Sequence, residues 1–444
     1  MARKSIFQFV VLGIFGVMIL VGMLAFSGKL PFLERAEENY GTVTLWGTFP
    51  QREMQTAIDT ALQGEKRLTV KYVEKDTDTF DGDFVNALAT GNGPDLILLS
   101  EDKILSTVDK LMLMPYTSYP ERTFKGTFVE EGEMFLLPEG IAGIPFTLDP
   151  LVMYWNRDIF SSASLLSPPK KWTEFYPLAE RIVARDTSGN ISRSFVSFGE
   201  YKNVTHAKDI ISLLIMQAGS NIVERGAEGK YKSTLTQAVG VPKLGGVSEP
   251  IVRAARFFTE FSKSNLTTYS WNRTLPYSRD MFEAGDLALY FGYASEYPSI
   301  KLRNPHLNFD IAPVPQPDTV SKRVTFGRMH GVAVVRASRN TAGAFQAAYL
   351  LTSAVSSGVV ANTFNIPPVR RDLLGTPPAN DATVAVTYDA AIIARGWHDP
   401  SPKETDRIFN TMVDNITSGF LYAEQALTTA QSAIDRILSG KKTP

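Results

Sequence analysis

A hydroxyl and two carboxylates directly follow a short apolar run in the segment GNGPDLILLSED, which ends at Asp102. The run LILL has the continuous apolarity of a strand covered on both faces, as in a parallel sheet. In such sheets, ligands bind beyond the carboxyl ends of the strands. We therefore expect Ser100, Glu101 and Asp102 to face a binding cleft. In an alternative that can coexist with this one, Ser100 caps the next helix and the two carboxylates favour its positive end.

Enzymatic motifs are missing from the sequence. It contains no nucleophile elbow, no Gly-rich phosphate loop and no His-Glu helical metal motif. Glu131, Glu133 and Glu139 can be imagined as a glycosidase pair, which needs two carboxylates about 5–10 Å apart. We interpret them instead as a solvated acidic loop. The sequence therefore favours a binding protein over an enzyme, with neither a metal nor a cofactor.

The composition allows two or three domains with ordinary packed cores, since the chain has 444 residues, of which 44% are hydrophobic and 20% charged. Its 45 basic and 46 acidic residues give a net charge of -1, which argues against a nucleic-acid binder. It has no cysteine, which excludes disulfides, cysteine-zinc sites, thiol catalysis and a lipid-modified cysteine. The four histidines do not have the spacing of metal ligands on a helix.

The elements that must position the polar tip are predicted from periodicity. Strands are expected at residues 41–46, 68–73 and 96–99, with amphipathic helices between them. This β-α-β-α-β order implies a parallel sheet with helices on its faces, and it puts Gly47 and Thr48 beside the polar tip. A last amphipathic helix is predicted at residues 423–438.

The N-terminus predicts a membrane anchor. Arg3 and Lys4 precede an uncharged run at residues 6–26, which is nearer to the length of a membrane helix than to that of a secretory signal. The two basic residues favour a cytoplasmic N-terminus, which puts the rest of the chain outside the membrane. Cleavage near Ser27 is the alternative. Residues 28–40 are interpreted as a tether.

Five segments, in this order, resemble the family 1 extracellular solute-binding proteins, the maltose-binding-protein-like subunits of ABC importers. They are GTVTLWG at 41–47, GPDLILL at 93–99, AGIPFTLDPLVMYWNRDIF at 142–160, KKWTEFYPLAERI at 170–182 and MFEAGDLALYFGYASEY at 281–297. The resemblance covers about residues 41–438, and the third segment is its most specific part. It departs from the family at Tyr293, where a Gly-Ser-Trp motif is expected, and in lacking a cysteine for lipid attachment.

The resemblance implies an α/β fold of two lobes with an interlobe cleft, in the manner of periplasmic binding proteins, preceded by the N-terminal transmembrane helix. The first lobe is predicted to comprise residues 41–148 and 309–366, and the second residues 149–308 and 367–440. Residues 1–40 form the anchor and tether. Such lobes close on their ligand by a hinge motion.

The resemblance also directs attention to aromatic and planar polar side chains, because sugar rings need flat apolar surfaces and their hydroxyls need polar partners. Arg328 precedes a buried strand, in a loop that faces the cleft in similar proteins, and it suits an anionic group. Asn365 lies in a segment that resembles a crossing between the lobes. The predicted ligand-binding residues are Trp46, Ser100, Tyr154, Tyr293, Arg328, Asn365 and Trp397.

The favoured function is the substrate-binding subunit of an ABC importer, which captures a carbohydrate and delivers it to permease subunits. It would be held at the cell membrane by its N-terminal helix, with the binding domain on the extracytoplasmic side. Two alternatives stay open. One is a binding protein of the same fold for a charged solute, namely a polyamine, a peptide or a phosphorylated polyol. The other is an exported carbohydrate-active hydrolase.

Overall fold

The strands and helices were taken from a computed structural model, which describes residues 39–226, 229–319, 322–375, 377 and 381–440, together with residues 10, 11, 13–19 and 23. The strands are β1 (Gly41–Gly47), β2 (Leu68–Glu74), β3 (Leu96–Ser100), β4 (Leu136–Leu137), β5 (Gly140–Ile141), β6 (Ile144–Asn156), β7 (Ala184–Arg185), β8 (Ile191–Val196), β9 (Val223–Arg225), β10 (Tyr231–Ser233), β11 (Lys243–Leu244), β12 (Val247–Ser248), β13 (Leu287–Tyr293), β14 (Phe309–Ala312), β15 (Thr325–Val334) and β16 (Ala394–Arg395).

Helices cover the sheet and fill the connections between its strands. The α-helices are α1 (Gln51–Ala61), α2 (Phe80–Ala89), α3 (Ile104–Thr107), α4 (Glu121–Thr127), α5 (Arg157–Ser162), α6 (Phe175–Ile182), α7 (Ala207–Gln217), α8 (Glu249–Glu260), α9 (Ser278–Ala284), α10 (Tyr297–Arg303), α11 (Thr341–Leu351), α12 (Ala354–Phe364), α13 (Arg371–Leu374), α14 (Ala382–Ile393), α15 (Pro402–Thr417) and α16 (Ala423–Leu438). Short 3₁₀ helices lie at Glu101–Lys103, Val108–Lys110, Glu130–Phe135, Trp172–Glu174 and Ala294–Glu296.

The predicted β-α-β-α-β unit is confirmed. β1 pairs in parallel with β2 and with β3, and Leu45 lies opposite Leu96 in the register. The four apolar residues of β3 are buried, as expected for a strand that is covered on both faces. The chain leaves β1 and β3 at the same edge of the sheet, which brings Thr48 close to the segment after Ser100.

Two long strands carry the sheet from one lobe into the other. The sheet runs in the order β2-β1-β3-β15-β6-β13-β8-β7, and β14 and β16 pair with β6 and β15. The first part of β6 pairs with β15, while its last part pairs with β13 and β14. β15 lies antiparallel to both β3 and β6. Two of the connections between the lobes therefore run through continuous strands, β6 and β15.

The described residues form two separate apolar cores, one for each lobe. The core of the first lobe runs from Val43 to Leu148 and resumes with residues 329–394. The core of the second lobe comprises residues 151–326 and resumes with residues 397–434, with Ala390 packed against it. Within this part of the chain, the backbone crosses between the lobes at residues 148–151, 326–329 and 394–397.

The family resemblance predicts crossings near residues 146–149, 309–313 and 365–369, and the observed crossings differ from these in two places out of three. The first predicted boundary, after residue 148, coincides with the division between the cores. The extended segment at Phe309–Ala312 is not a crossing, because it pairs with β6 inside the second lobe. Residues 365–369 are not a crossing either. The Val129 amide donates to the Val369 carbonyl oxygen, and Val369 is buried in the first core.

The predicted membrane anchor lies largely outside the described residues. Residues 10, 11, 13–19 and 23 are helical. In the described part of the chain, no single helix is both long enough and apolar enough to span a membrane; α11 and α12 meet that test only together, and they are bent by 68° where they join. The anchor stays a prediction.

Candidate functional site

A cleft of about 1110 Å³ separates the two lobes. Side chains from the edge of the first lobe that follows β1 and β3 form one wall, and the start of α7 and the start of α15 form the other. β15 contributes Phe326, Arg328 and His330 to the lining. The polar tip of β3 therefore faces a cleft, as the sequence predicted.

The tip of β3 does not act as the helix cap that was considered as the alternative. The Ser100 hydroxyl makes no capping bond to the amides that follow and donates instead to Glu101 Oε2, at 3.2 Å. The Glu101 carboxyl is turned inwards and accepts the Met329 amide at 2.8 Å. Burial, followed by the charges of Asp102 and Glu131, raises the pKa of Glu101 well above its ordinary value.

Asp102 is the side chain of this tip that is left with unused hydrogen-bonding capacity. Its Oδ1 is buried and has no hydrogen-bond partner among the described residues. The neighbouring Lys103 forms an ion pair with Asp81, with 2.8 Å between Lys103 Nζ and Asp81 Oδ1. His330 lines the cleft in its neutral form, because burial lowers its pKa to about 4. A bound molecule with hydroxyl donors can satisfy the Asp102 carboxylate.

On the opposite wall, Arg328 is held by two groups of the second lobe. Its Nη2 lies 2.8 Å from Asp209 Oδ2, and its guanidinium lies 4.2 Å from the centre of the Tyr293 ring. The Tyr293 hydroxyl donates to the same Asp209 oxygen at 2.7 Å. Burial alone raises the pKa of Asp209, but the nearby Arg328 and His206 outweigh it, so that this pKa lies below its ordinary value. Asp209 is therefore ionised and compensated.

A second charged network lies beside it. His206 Nε2 is 2.8 Å from Glu296 Oε1, the oxygen that also accepts the Tyr293 amide at 2.8 Å. Tyr290 donates its hydroxyl to the other Glu296 oxygen at 2.7 Å. Burial raises the pKa of Glu296, but the bond from His206 and these further donors bring it below its ordinary value. The network fixes the side chain of His206, which lines the cleft.

Lys208 and Trp397 form a third group on the second lobe. Lys208 Nζ lies 2.5 Å from Asp399 Oδ2 and 5.4 Å from the centre of the Trp397 ring. The Trp397 indole donates to Ser212 Oγ at 3.2 Å. Trp397 lines the cleft but is only 5% exposed, so that it offers an edge rather than an open face.

The predicted ligand residues divide into three groups. Ser100, Arg328 and Trp397 line the cleft. Tyr293 is buried beneath Arg328 and supports it. The remaining residues, Trp46, Tyr154 and Asn365, do not line the cleft.

Packing explains why these three residues lie away from the cleft. Trp46 belongs to the first core and carries the Lys75 ammonium 3.9 Å above its ring, so that Thr48 reaches the cleft in its place. Tyr154 is fully buried and donates its hydroxyl to the Tyr293 carbonyl oxygen at 2.6 Å. Asn365 adopts a left-handed conformation, with φ of 53°, and ends α12.

The interpretation of the three glutamates as a solvated acidic loop is wrong for one of them. Glu133 is half-buried and pairs with Lys125 at 3.3 Å, and Glu139 is exposed. Glu131, by contrast, is 1% exposed, and neither of its carboxyl oxygens has a hydrogen-bond partner among the described residues. Burial raises its pKa to about 8.

Sequence reasoning missed several lining residues. Asp102 was expected to face the cleft together with Ser100, but it was not among the predicted ligand-binding residues. His206, Lys208 and Asp209 lie at the start of α7, where an apolar helix gives no sign of which face it turns to a cleft. Among the described residues, no group of three or more histidine, aspartate or glutamate side chains is placed to hold a metal ion.

The chain matches the sequence model of the bacterial extracellular solute-binding proteins over residues 51–356. A protein of Brucella abortus (strain 2308), which carries only the general name of a binding protein, is 29% identical over 101 residues. That match covers 22% of this chain and spans only 24% of the relative's length.

Solved structures match over a larger part of the chain. The cyclic alpha-maltosyl-1,6-maltose binding protein of Arthrobacter globiformis superposes with a TM-score of 0.72 at 14% identity, and the match covers 90% of this chain and 99% of that one. The GacH receptor of Streptomyces glaucescens GLA.O gives a TM-score of 0.68 at 17% identity, with the same coverage. At these identities the likeness concerns the fold.

Proposed function

The chain belongs to the family of bacterial extracellular solute-binding proteins, and from this premise we propose that it captures a carbohydrate in its interlobe cleft and delivers it to an ABC permease. The single observation that carries the choice of a carbohydrate is the buried Asp102 oxygen at the cleft wall, which has no partner among the described residues. A carboxylate in that position accepts hydrogen bonds from hydroxyl groups, of which a saccharide has many.

The size of the cleft favours an oligosaccharide over a single sugar. Pockets for small molecules usually enclose about 300–1,000 Å³, whereas this cleft encloses about 1110 Å³. Phe80, Phe84, Tyr201, Tyr277 and Phe326 contribute aromatic surface to its lining. Two structural neighbours are described by saccharide ligands, the GacH receptor in complex with acarbose and the binding protein for cyclic alpha-maltosyl-1,6-maltose.

Two ion pairs on the second lobe disfavour the capture of an anionic solute by Arg328 or Lys208. Among the basic side chains of this wall, Arg328 and Lys208 are each paired with a buried aspartate, Asp209 and Asp399. An anion that recruited either cation would leave a buried carboxylate uncompensated, which costs several kcal/mol. A neutral, hydroxyl-rich solute leaves both pairs intact.

Calorimetric titration and thermal unfolding with a solute panel test the choice of ligand. We expect at least one of maltotetraose, acarbose and mannotriose to bind and to raise the melting temperature, because a ligand of the folded state stabilises it. Spermidine and glycerol 3-phosphate should have no effect. Binding of only these two charged compounds would contradict the proposal. Cleavage of a bound saccharide, detected by chromatography, would favour the hydrolase.

We further propose that residues 1–40 hold the protein at the membrane with the lobes on the extracytoplasmic side. The uncharged run at residues 6–26 supports this, as do the exposed apolar side chains of its described helical residues. Mass spectrometry of the protein isolated from its own cells should find peptides from residues 1–27. A mature N-terminus at residue 28 in every molecule would contradict the anchor.

A further inference from the structure

Two buried carboxyl groups lie at the cleft wall of the first lobe, of which Glu101 belongs to the cleft lining. Glu101 is 3% exposed and Glu131 is 1% exposed. They come from the start of the 3₁₀ helix after β3 and from the 3₁₀ helix Glu130–Phe135. The two side chains are close enough for the charge of Glu131 to raise the pKa of Glu101. We call them the carboxyl pair.

The carboxyl pair contacts two of the three described crossings between the lobes. Glu101 Oε2 accepts the amide of Met329, at the crossing through β15. Gly396 lies in the crossing after β16 and packs against both carboxyl groups. A Cβ atom added there would lie 2.6 Å from Glu131 Oε1 and 3.5 Å from Glu101 Cγ. Only a residue without a side chain permits this approach, so the crossing is fitted to the pair.

No described cation forms an ion pair with either member. The charge of Arg395 lowers the pKa of Glu131, but its guanidinium pairs with Glu130 and donates to the Ala394 carbonyl oxygen. The Gly396 amide lowers the pKa of Glu131 slightly without making a hydrogen bond of good geometry to it. The other ionisable groups that act on Glu101 or are acted on by it are Asp102, Tyr293 and Arg328.

We propose that the carboxyl pair is a proton-binding site that controls the hinge: with the proton bound, the crossings keep the arrangement described here, and loss of the proton opens the cleft. Ionisation of Glu131 would bury a negative charge beside Gly396 without a matching cation. Such a charge is stabilised when water enters, and water can enter only if the crossing at Gly396 moves away from Glu131.

The sign and the pH window follow from the raised pKa values. Glu131 has a pKa of about 8 in the folded protein against 4.5 for a free side chain, so the folded state binds the proton more tightly than the unfolded one. The stability that this proton supplies is complete below about pH 4.5 and is lost as the pH rises through 8. The ionised fraction of Glu131 rises from about one tenth at pH 7 to about nine tenths at pH 9.

Other groups near the hinge titrate outside this window. Asp149, at the first crossing, accepts the Ser295 amide, and burial raises its pKa to about 6. Burial lowers the pKa of His330 to about 4 and also lowers that of His398. Burial also raises the pKa of Asp399, which lies just after the third crossing, so the Glu131→Gln variant is what assigns a transition near pH 8 to the carboxyl pair.

The opening can be measured without any solute. The chain has no cysteine, so two introduced cysteines, Asp78→Cys and Asp280→Cys, can be spin-labelled specifically. Asp78 is next to the cleft-lining Thr77 in the first lobe and Asp280 is close in sequence to the cleft-lining Tyr277 in the second, so the distance between the labels spans the cleft. In the full-length protein, pulsed electron paramagnetic resonance should show that this distance increases between pH 7 and 9.5, with a midpoint near pH 8. Glu131→Gln, which keeps the shape but cannot ionise, should hold the short distance throughout.

Glu133→Gln is the matched control, because Glu133 lies two residues away and is half-exposed; it should widen as the parent protein does. A parent distance that is constant from pH 7 to 9.5 would overturn the proposal, as would an unchanged transition in Glu131→Gln. If that variant does not fold, hydrogen exchange of the Met329 and Gly396 amides in the parent protein, corrected for intrinsic rates, decides, since both should lose protection near pH 8. A failure of every saccharide to bind would leave these results unaffected.

Discussion

Replacing Arg328 with alanine is expected to destabilise the folded protein by about 2–4 kcal/mol and to weaken solute binding. Asp209 is buried and accepts from both Arg328 and Tyr293, so its charge loses its main compensation in the variant. Removing one partner of a fully buried pair costs about 3–5 kcal/mol. We expect a smaller cost here because the Arg328 side chain is 46% exposed and water screens part of the interaction.

The pH dependence gives this prediction a second readout. Arg328 lowers the pKa of Asp209 in the folded state, so the pair stabilises the protein above the ordinary value of 3.8 and ceases to do so as the pH falls through the lowered pKa. The difference in unfolding free energy between parent and variant should therefore shrink as the pH falls from 7 towards 3. Urea unfolding at several pH values measures it.

Two further variants control for the loss of an arginine as such. Arg253→Ala removes an exposed ion pair with Glu249 and should cost less than about 1 kcal/mol. The double variant Arg328→Ala with Asp209→Asn should recover part of the stability, because no buried charge is left without a partner. An equal cost for Arg328→Ala and Arg253→Ala would show that Asp209 does not depend on Arg328.

Replacing Asp102 with alanine should lower the affinity for the bound saccharide about 10- to 100-fold and leave the melting temperature of the free protein nearly unchanged. Hydrogen bonds to a charged group are worth about 1.5–3 kcal/mol, and Asp102 Oδ1 has no described partner that its removal would orphan. Calorimetric titration with the saccharide of the panel that binds most tightly measures the change.

Asp102→Asn distinguishes acceptor chemistry from shape. The amide keeps one acceptor oxygen but loses the charge, so the affinity should fall between those of the parent and the alanine variant. Asp109→Ala is the matched control, because Asp109 belongs to the same lobe and its side chain is 72% exposed beside Lys110; it should bind as the parent does. Parent-like affinity in Asp102→Ala would remove the observation on which the choice of a carbohydrate depends.

The two walls of the cleft offer a solute different groups. The second lobe holds two of its basic side chains in ion pairs, Arg328 with Asp209 and Lys208 with Asp399. The first lobe contributes the Asp102 carboxyl to the cleft lining, and the Oδ1 atom of this group has no described hydrogen-bond partner. A solute that first satisfies Asp102 and is then covered by the second lobe would need no rearrangement of the ion pairs. This difference between the two walls is compatible with closure of the lobes over a neutral ligand by a hinge motion.

The local pattern of apolar and polar residues was sufficient to predict the strands of the first lobe. The strands predicted at residues 41–46, 68–73 and 96–99 exist with boundaries shifted by one residue or less at either end, because alternation and continuous apolarity report directly on burial. The polar tip after β3 was likewise predictable to face a cleft. Its division into an inward Glu101 and an open Asp102 was not, because the Met329 amide that turns Glu101 inwards lies 228 residues away.

The crossings show where local pattern misleads. An extended segment ending in proline at residues 309–313 has the local pattern of a strand that returns between lobes, but β14 pairs with β6 within the second lobe. The true return lies inside β15, a single strand of ten residues. A strand that serves two cores in succession has the same local sequence as a strand that serves one.

The sequence by itself determined the α/β class, the family resemblance and the edge of the sheet at which the cleft opens. The spacing of apolar residues along the chain is sufficient to predict the order of the strands and which of them are buried. Only the tertiary structure decided which side chains reach that cleft, which charges find partners, and that Glu131 is buried against Gly396. Those properties depend on contacts between segments that lie hundreds of residues apart, and desolvation and ion pairing act through space rather than along the chain.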